Sequence, residues 1–255
     1  MSAPFRWPEG RTCAVSLTYD DALPVHYEHV GPQLEAHGLR GTFYLNIAAD
    51  PTRNPAPWRE LAARGHELGN HTLFHPCRRY PLSRHPWLEK SFDLRDYTPN
   101  RLRSEVQVAN AFLCLLDGRT DRTFAHTCYD MHIGRLWNKR PISDLVRTQF
   151  IAARAMKTNR PIIISRSLDL MRLGCYEADG CNLDQLCDQI RAAQDQAGWL
   201  VLTIHGVGMG THGQFLDPGT HAALIDWFAE QRQIWVNPFI DVAKWVHGWQ
   251  TGMQS

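Results

Sequence analysis

The run Trp199-Leu200-Val201-Leu202-Thr203-Ile204 is apolar at every position but one. That near-continuity describes a strand covered on both faces, not one with a solvated side. Strands of this kind sit in parallel sheets whose crossovers are helices, so the flanks should read as helix. Upstream, Asn182 is placed to cap a helix with Gln185 at its third position and an apolar side of Leu183, Leu186, Cys187, Ile190 and Ala193. Downstream, residues 220–229 read as helix, 233–236 as strand and 241–249 as helix. Toward the N-terminus the alternation continues. Residues 13–19 (CAVSLTY) and 41–47 (GTFYLNI) are strands, with a helix over 29–38 whose start Pro32 marks. Residues 57–63 are a short helix and 66–70 a short strand. Thr98-Pro99 caps and opens a helix whose apolar residues Leu102, Val106, Ala109, Leu113 and Leu116 recur at 4, 3, 4, 3 spacing up to Gly118. Residues 122–126 read as strand, 143–156 as helix and 161–165 (PIIIS) as a buried strand. The alternation predicts an α/β fold with parallel pairing and right-handed crossovers, as a barrel or a doubly wound sheet.

Composition narrows the function classes. The 255 residues carry 27 Lys and Arg against 26 Asp and Glu, a net charge of +1 without a basic run. Nucleic acid is therefore not the expected partner. No apolar stretch reaches the length of a membrane span, and the opening MSAPFRWPEGRT lacks the layout of a signal peptide. The expectation is a cytoplasmic protein without a membrane partner. Seven cysteines, an odd number with no C-x-x-C pair, predict reduced thiols, with Cys77 a small buried filler. Residues 76–96 form a long basic and aromatic segment of little periodicity, a loop expected to be functional or mobile.

Three segments carry chemistry. In GHELGNHTLFHP (65–76), His71 and His75 stand four apart, so a helical turn would put both imidazoles on one face, as two ligands of one ion require. Thr72 occupies the place of the glutamate that a zinc protease would use. In LTYDD (17–21), two adjacent carboxylates end the first strand. Neighbours in a strand face opposite sides, so both serve one site only if the chain turns there. In LTIHGVG (202–208), an apolar strand delivers His205 to its C-terminal end, where glycines follow. Each segment alone reads as readily as solvated or structural side chains. Together they occupy the rim where barrel enzymes place their sites. Two histidines and one aspartate would hold a divalent ion with a position left open, the second aspartate would act as base and the distant histidine as acid.

These motifs resemble the polysaccharide deacetylases (NodB homology domain, carbohydrate esterase family 4). Thr18-Tyr19-Asp20-Asp21 is similar to their T-F-D-D, His71-Thr72-Leu73-Phe74-His75 to their H-[ST]-x-x-H, and Leu202-Thr203-Ile204-His205 to their L-x-x-H. The resemblance runs in family order over roughly 13–246, with 1–255 expected as a single domain. It implies a distorted (β/α)7 barrel, Asp21, His71 and His75 as metal ligands, Asp20 as base and His205 as acid. The family's R-P-P-Y-G motif is altered. Its nearest match is Phe124-Ala125-His126-Thr127-Cys128-Tyr129, where Ala125 replaces the arginine that would pair with the base. Cys128 and Tyr129 are the expected oxyanion and substrate residues, and Asp169 the expected aspartate of the fourth motif. His126 and His212 are candidates for extra site groups, with a structural role preferred for each.

The implied activity is metal-dependent hydrolysis of a C–N bond, with Zn²⁺ the default and Co²⁺, Ni²⁺ or Mn²⁺ able to suit the same ligands. The expected substrate is an N-acetylated sugar, a short oligosaccharide or another soluble amide. A cyclic amide or imide hydrolase on the same fold, and a carbohydrate-binding relative without catalysis, are the competing readings.

Overall fold

The computed structural model describes residues 4–79 and 85–253. Alternation in Cys13–Asp20 (β1) sorts its side chains by parity. Val15, Leu17 and Tyr19 join the apolar cluster that contains Leu34, Leu61, Leu113, Leu186 and Leu224. Those leucines belong to helices α1 (Gly31–Ala36), α2 (Pro55–Ala63), α3 (Pro99–Asp117), α4 (Leu183–Asp195) and α5 (Pro218–Glu230). Ser16, Thr18 and Asp20, of the other parity, are buried inside the sheet.

The other strands of the main sheet are β2 (Thr42–Leu45), β3 (Glu67–Asn70), β4 (Thr123–Ala125), β5 (Ala152–Lys157), β6 (Leu173–Glu177), β7 (Trp199–Ile204) and β8 (Ile234–Val236). Each pairs with the next in parallel from β1 to β7, and β7 returns to β1 with Ala14 opposite Trp199 and Tyr19 opposite Ile204. Among the described residues, seven strands thus close a barrel. β8 lies beside the first residues of β1 on the edge that β2 takes over further along. The closure is uneven, since β3 meets β4 at Asn70 opposite Phe124 and the register shifts between Arg154 and Met156 on β5. This is a distorted (β/α)7 barrel. Parallel pairing sends Asp20, Asn70, Lys157, Glu177 and Ile204 to one rim.

Local chemistry explains the helix ends. Thr98 accepts from Arg101 N, Pro99 opens α3, and Gly118 at φ 71 stops it. Asn182 and Gln185 form a reciprocal capping box at the start of α4, each bond 2.9 Å. Helix α6 (Phe239–Thr251) supplies Val242, Ala243 and Val246 to a cluster with the interior residues Ala14, Tyr44, Trp199 and Val201.

Two expectations fail. The helix expected over 143–156 exists only at Ile142–Val146, and its second half is strand β5. Alanine-rich AARAMK has good helix propensity, but burial in the barrel wall overrides so weak a preference. Residues 161–165 make only an isolated bridge, Ile162 to Trp199, and the neighbouring strand is β6. Part of the 76–96 loop lies outside the described residues. No described helix is long and apolar enough to cross a membrane.

Candidate active site

At the rim β1 ends at Asp20, and Asp21 turns the chain with φ 77. That turn lets two consecutive carboxylates approach one cleft. His71 follows β3 directly. The loop after it is not a helical turn, contrary to the reading of the four-residue spacing, because Thr72 and His75 are left-handed at φ 70 and 53. The two imidazoles still meet, with ring centroids 4.9 Å apart. Thr72 Oγ1 accepts from His75 N at 3.0 Å and fixes the loop. His71 Nδ1 donates to the Ala125 carbonyl at 2.9 Å, which leaves the Nε2 lone pair facing the cleft.

His71 Nε2 lies 3.6 Å and His75 Nε2 3.1 Å from Asp21 Oδ1. Asp21 Oδ1 is buried yet makes no aligned hydrogen bond. Ligand atoms of the three residues all fall within 4.8 Å of one another. An orphaned carboxylate oxygen facing two imidazole nitrogens is the donor set a divalent cation requires, so the residues fit the metal that the sequence implies. Burial opposes charge on Asp21, but His75 and His71 beside it hold the carboxyl well below its usual range. Burial pushes His71 down to about 4, whereas Asp21 outweighs burial at His75 and raises it.

Asp20 is buried at 2 % exposure and is gripped by the Arg154 guanidinium. Arg154 also donates to Thr18 Oγ1 at 2.9 Å and Thr203 Oγ1 at 2.7 Å. Burial would raise the Asp20 carboxyl, but Arg154, then His71 and His205, lower it. The loss of arginine at Ala125 is therefore made good from the adjacent strand. Sequence reasoning missed Arg154 because 143–156 read as a helix. The signal was present as a lone charge inside an otherwise apolar AARAM run.

His205 follows β7, and Asp179 accepts from its backbone N at 3.0 Å and holds its Nδ1 at 2.5 Å. Burial disfavours the imidazolium, but this carboxylate, then Asp20 and Asp21, raises His205 to about 9. Asp179, not Asp169, partners His205. Asp169 is bonded to Arg147 at 2.8 Å and caps a short turn at Met171 N. The error followed from missing β6, whose end delivers Asp179.

Asp20, Asp21, His71, His75, His205, Cys128 and Tyr129 line one cleft of about 720 Å³. Cys128 and Tyr129 are left-handed at φ 51 and 57. Non-glycine residues in that region cost about 1–3 kcal/mol each and concentrate at functional sites. His126 and His212, the extra site candidates, also line the cleft. His212 stacks on His205 with centroids 5.1 Å apart and puts Nε2 3.6 Å from Asp21 Oδ2. The expectation of seven reduced thiols is wrong for two of them, since Cys77 and Cys128 form a disulfide.

Comparison with known proteins agrees with this fold. Residues 8–130 match the family model described as polysaccharide deacetylase. Among curated relatives, a gellan lyase from Bacillus sp is 27% identical over 148 residues, 58% of this chain and 5% of the lyase. A chitooligosaccharide deacetylase from Sinorhizobium fredii is 37% identical over 76 residues, 28% of this chain and 35% of that protein. These matches span well under two thirds of the relatives' own lengths. The fold is shared with a polysaccharide deacetylase-type protein of Mycobacterium smegmatis, at TM-score 0.69 and 16% identity over 97% of this chain and 94% of the other. It is shared too with a family 4 acetyl xylan esterase from Clostridium thermocellum in complex with a cobalt ion. That pair aligns at TM-score 0.57 and 16% identity over 91% and 90% of the two chains.

Proposed function

We propose that the chain is a metal-dependent amide hydrolase that removes the N-acetyl group from an amino sugar, free or within an oligosaccharide. The observation that carries this reading is the flanking of the Asp21, His71 and His75 cluster by two differently tuned dyads, Asp20 with Arg154 and His205 with Asp179. Asp21, His71 and His75 would hold the cation, Zn²⁺ by ligand type, with Co²⁺, Ni²⁺ or Mn²⁺ as substitutes. When bound, such an ion polarises a carbonyl oxygen and acidifies water. Asp20, kept ionised by Arg154, accepts the proton of the attacking water. His205, kept protonated by Asp179, gives a proton to the departing amine nitrogen, without which the C–N bond does not break. The Cys128 backbone N–H would receive the developing oxyanion charge. The substrate class is supported by the chitooligosaccharide deacetylase likeness. A protein that only bound sugar would need neither dyad.

The experiment is Asp20→Asn, assayed for acetate release from N-acetylated chitooligosaccharides and for ring opening of cyclic imides. Asp20→Asn should keep its metal content and lose about 10²–10⁴-fold in turnover of the acetylated sugar. Full activity in the variant removes the proposed base, and imide hydrolysis without acetate release reassigns the substrate.

A further inference from the structure

Cys77 follows His75 by two residues, is fully buried, and is bonded to Cys128, 51 residues further along, with Cα atoms 5.9 Å apart. The two faces of the His75 ring look at different chemistry. Nε2 faces Asp21 Oδ1 at 3.1 Å, while Nδ1 lies 3.6 Å from Cys77 Sγ. The ligand atoms of His75, Cys77 and Cys128 form a second group within 4.8 Å of one another. Cys128 borders the cleft, so a small reductant can reach it.

We propose that reducing the Cys77–Cys128 disulfide creates a second, mutually exclusive metal site, formed by His75 Nδ1, Cys77 Sγ and Cys128 Sγ, for a thiophilic divalent cation such as Zn²⁺ or Cd²⁺. Reduction takes two electrons from a dithiol. Its thiolate attacks Cys128 Sγ and forms a mixed disulfide, the Cys77 thiolate leaves, and the second thiol closes the reductant's own disulfide and frees Cys128. The cation displaces the remaining thiol protons to solvent, and two thiolates neutralise its charge. Two thiolates at about 2.3 Å on one tetrahedral ion stand about 3.8 Å apart, so the freed sulfurs must separate by rotation about their Cα–Cβ bonds, with imidazole completing the set at about 2.0–2.1 Å.

Exclusivity follows from the imidazole itself. A neutral ring has one lone pair, so coordination through Nδ1 puts the proton on Nε2, against Asp21 Oδ1, and withdraws His75 from the Asp21–His71 site. The oxidised chain would keep its cation in the catalytic cluster, and the reduced chain would carry it one ring position away. The exclusivity rests on the His75 role given above, whereas the existence of the thiolate site does not.

Cobalt separates the two. Metal-free protein, either oxidised or reduced with dithiothreitol and cleared of it by anaerobic gel filtration, is titrated with Co²⁺ and followed in the near ultraviolet. The oxidised chain should bind Co²⁺ without a thiolate-to-cobalt charge-transfer band, which tests the Asp21, His71 and His75 site alone. The reduced chain should show that band, and reoxidation should abolish it. Cys77→Ser and Cys128→Ser should each lack the full two-thiolate band under reduction. Reduced wild type without the band overturns the proposal. So does an undiminished band in Cys128→Ser, which would put the ion on Cys77 with His85 and Asp130, also within ligand reach of each other.

Discussion

Asp179 shows how one side chain sets the chemistry of another. Its carboxylate holds His205 through both the backbone and the ring, and keeps the imidazole protonated to about pH 9. Replacing it with Asn removes the charge but retains a polar group of the same size. In Asp179→Asn the His205 pKa falls, so the acid is deprotonated at lower pH. The alkaline limb of a kcat/KM profile should move toward neutrality and kcat drop by about 10²-fold or more. An unmoved alkaline limb would show that His205 is not the proton donor. At this scale the sequence was informative where motif and geometry coincide. Asp20, Asp21, His71, His75 and His205 all reach the cleft. It was silent on Asp179 and on the disulfide, because neither an aspartate in EADG nor a cysteine pair 51 residues apart carries a local signal.

β5 is the element on which the account departs most from its sequence reading. AARAMK favours helix by propensity, yet it fills a place between β4 and β6 where its first four residues are buried. Its inward parity carries Arg154 into the barrel, where Thr18, Thr203 and Asp20 satisfy it. Breaking a buried ion pair costs about 3–5 kcal/mol, since the surviving charge loses its partner. Arg154→Met should therefore lower unfolding free energy by about that amount, measured by urea denaturation, and raise the Asp20 pKa. A variant as stable as wild type would mean that the pair contributes little net energy. By contrast α3 and α4 were fully legible. Their caps, Thr98 and the Asn182–Gln185 pair, are chemical signals confined to one turn of chain, whereas strand identity in a closed barrel depends on neighbours remote in sequence.

The whole barrel stores several neutral histidines. His26, His66, His126 and His221 are buried outside the proposed ligand set, and burial pushes each down to about 4. In the unfolded chain they regain ordinary values near 6.5, so between those limits the unfolded state binds up to four more protons. Their contribution to stability is complete above 6.5 and is lost as pH falls toward 4. Each proton is worth about 1.4 kcal/mol per pH unit. Metal-free protein should therefore lose stability steeply from pH 6.5 to 4.5, with a slope approaching about 5 kcal/mol per unit. A flat profile across that range would contradict the neutral assignments. The alternation of strand and helix foretold the architecture at this scale, and β7 alone gave the parallel class. Closure, the register shift on β5 and the place of β8 needed the three-dimensional pairing.

The central claim is that Asp21, His71 and His75 hold one cation between Asp20 and His205. Its most direct test is anomalous X-ray diffraction at the zinc edge from crystals of oxidised protein grown with Zn²⁺. The account predicts a single strong peak at bonding distance from Asp21 Oδ1, His71 Nε2 and His75 Nε2. Zinc bound elsewhere, or a cleft that stays empty at saturating Zn²⁺, would contradict it.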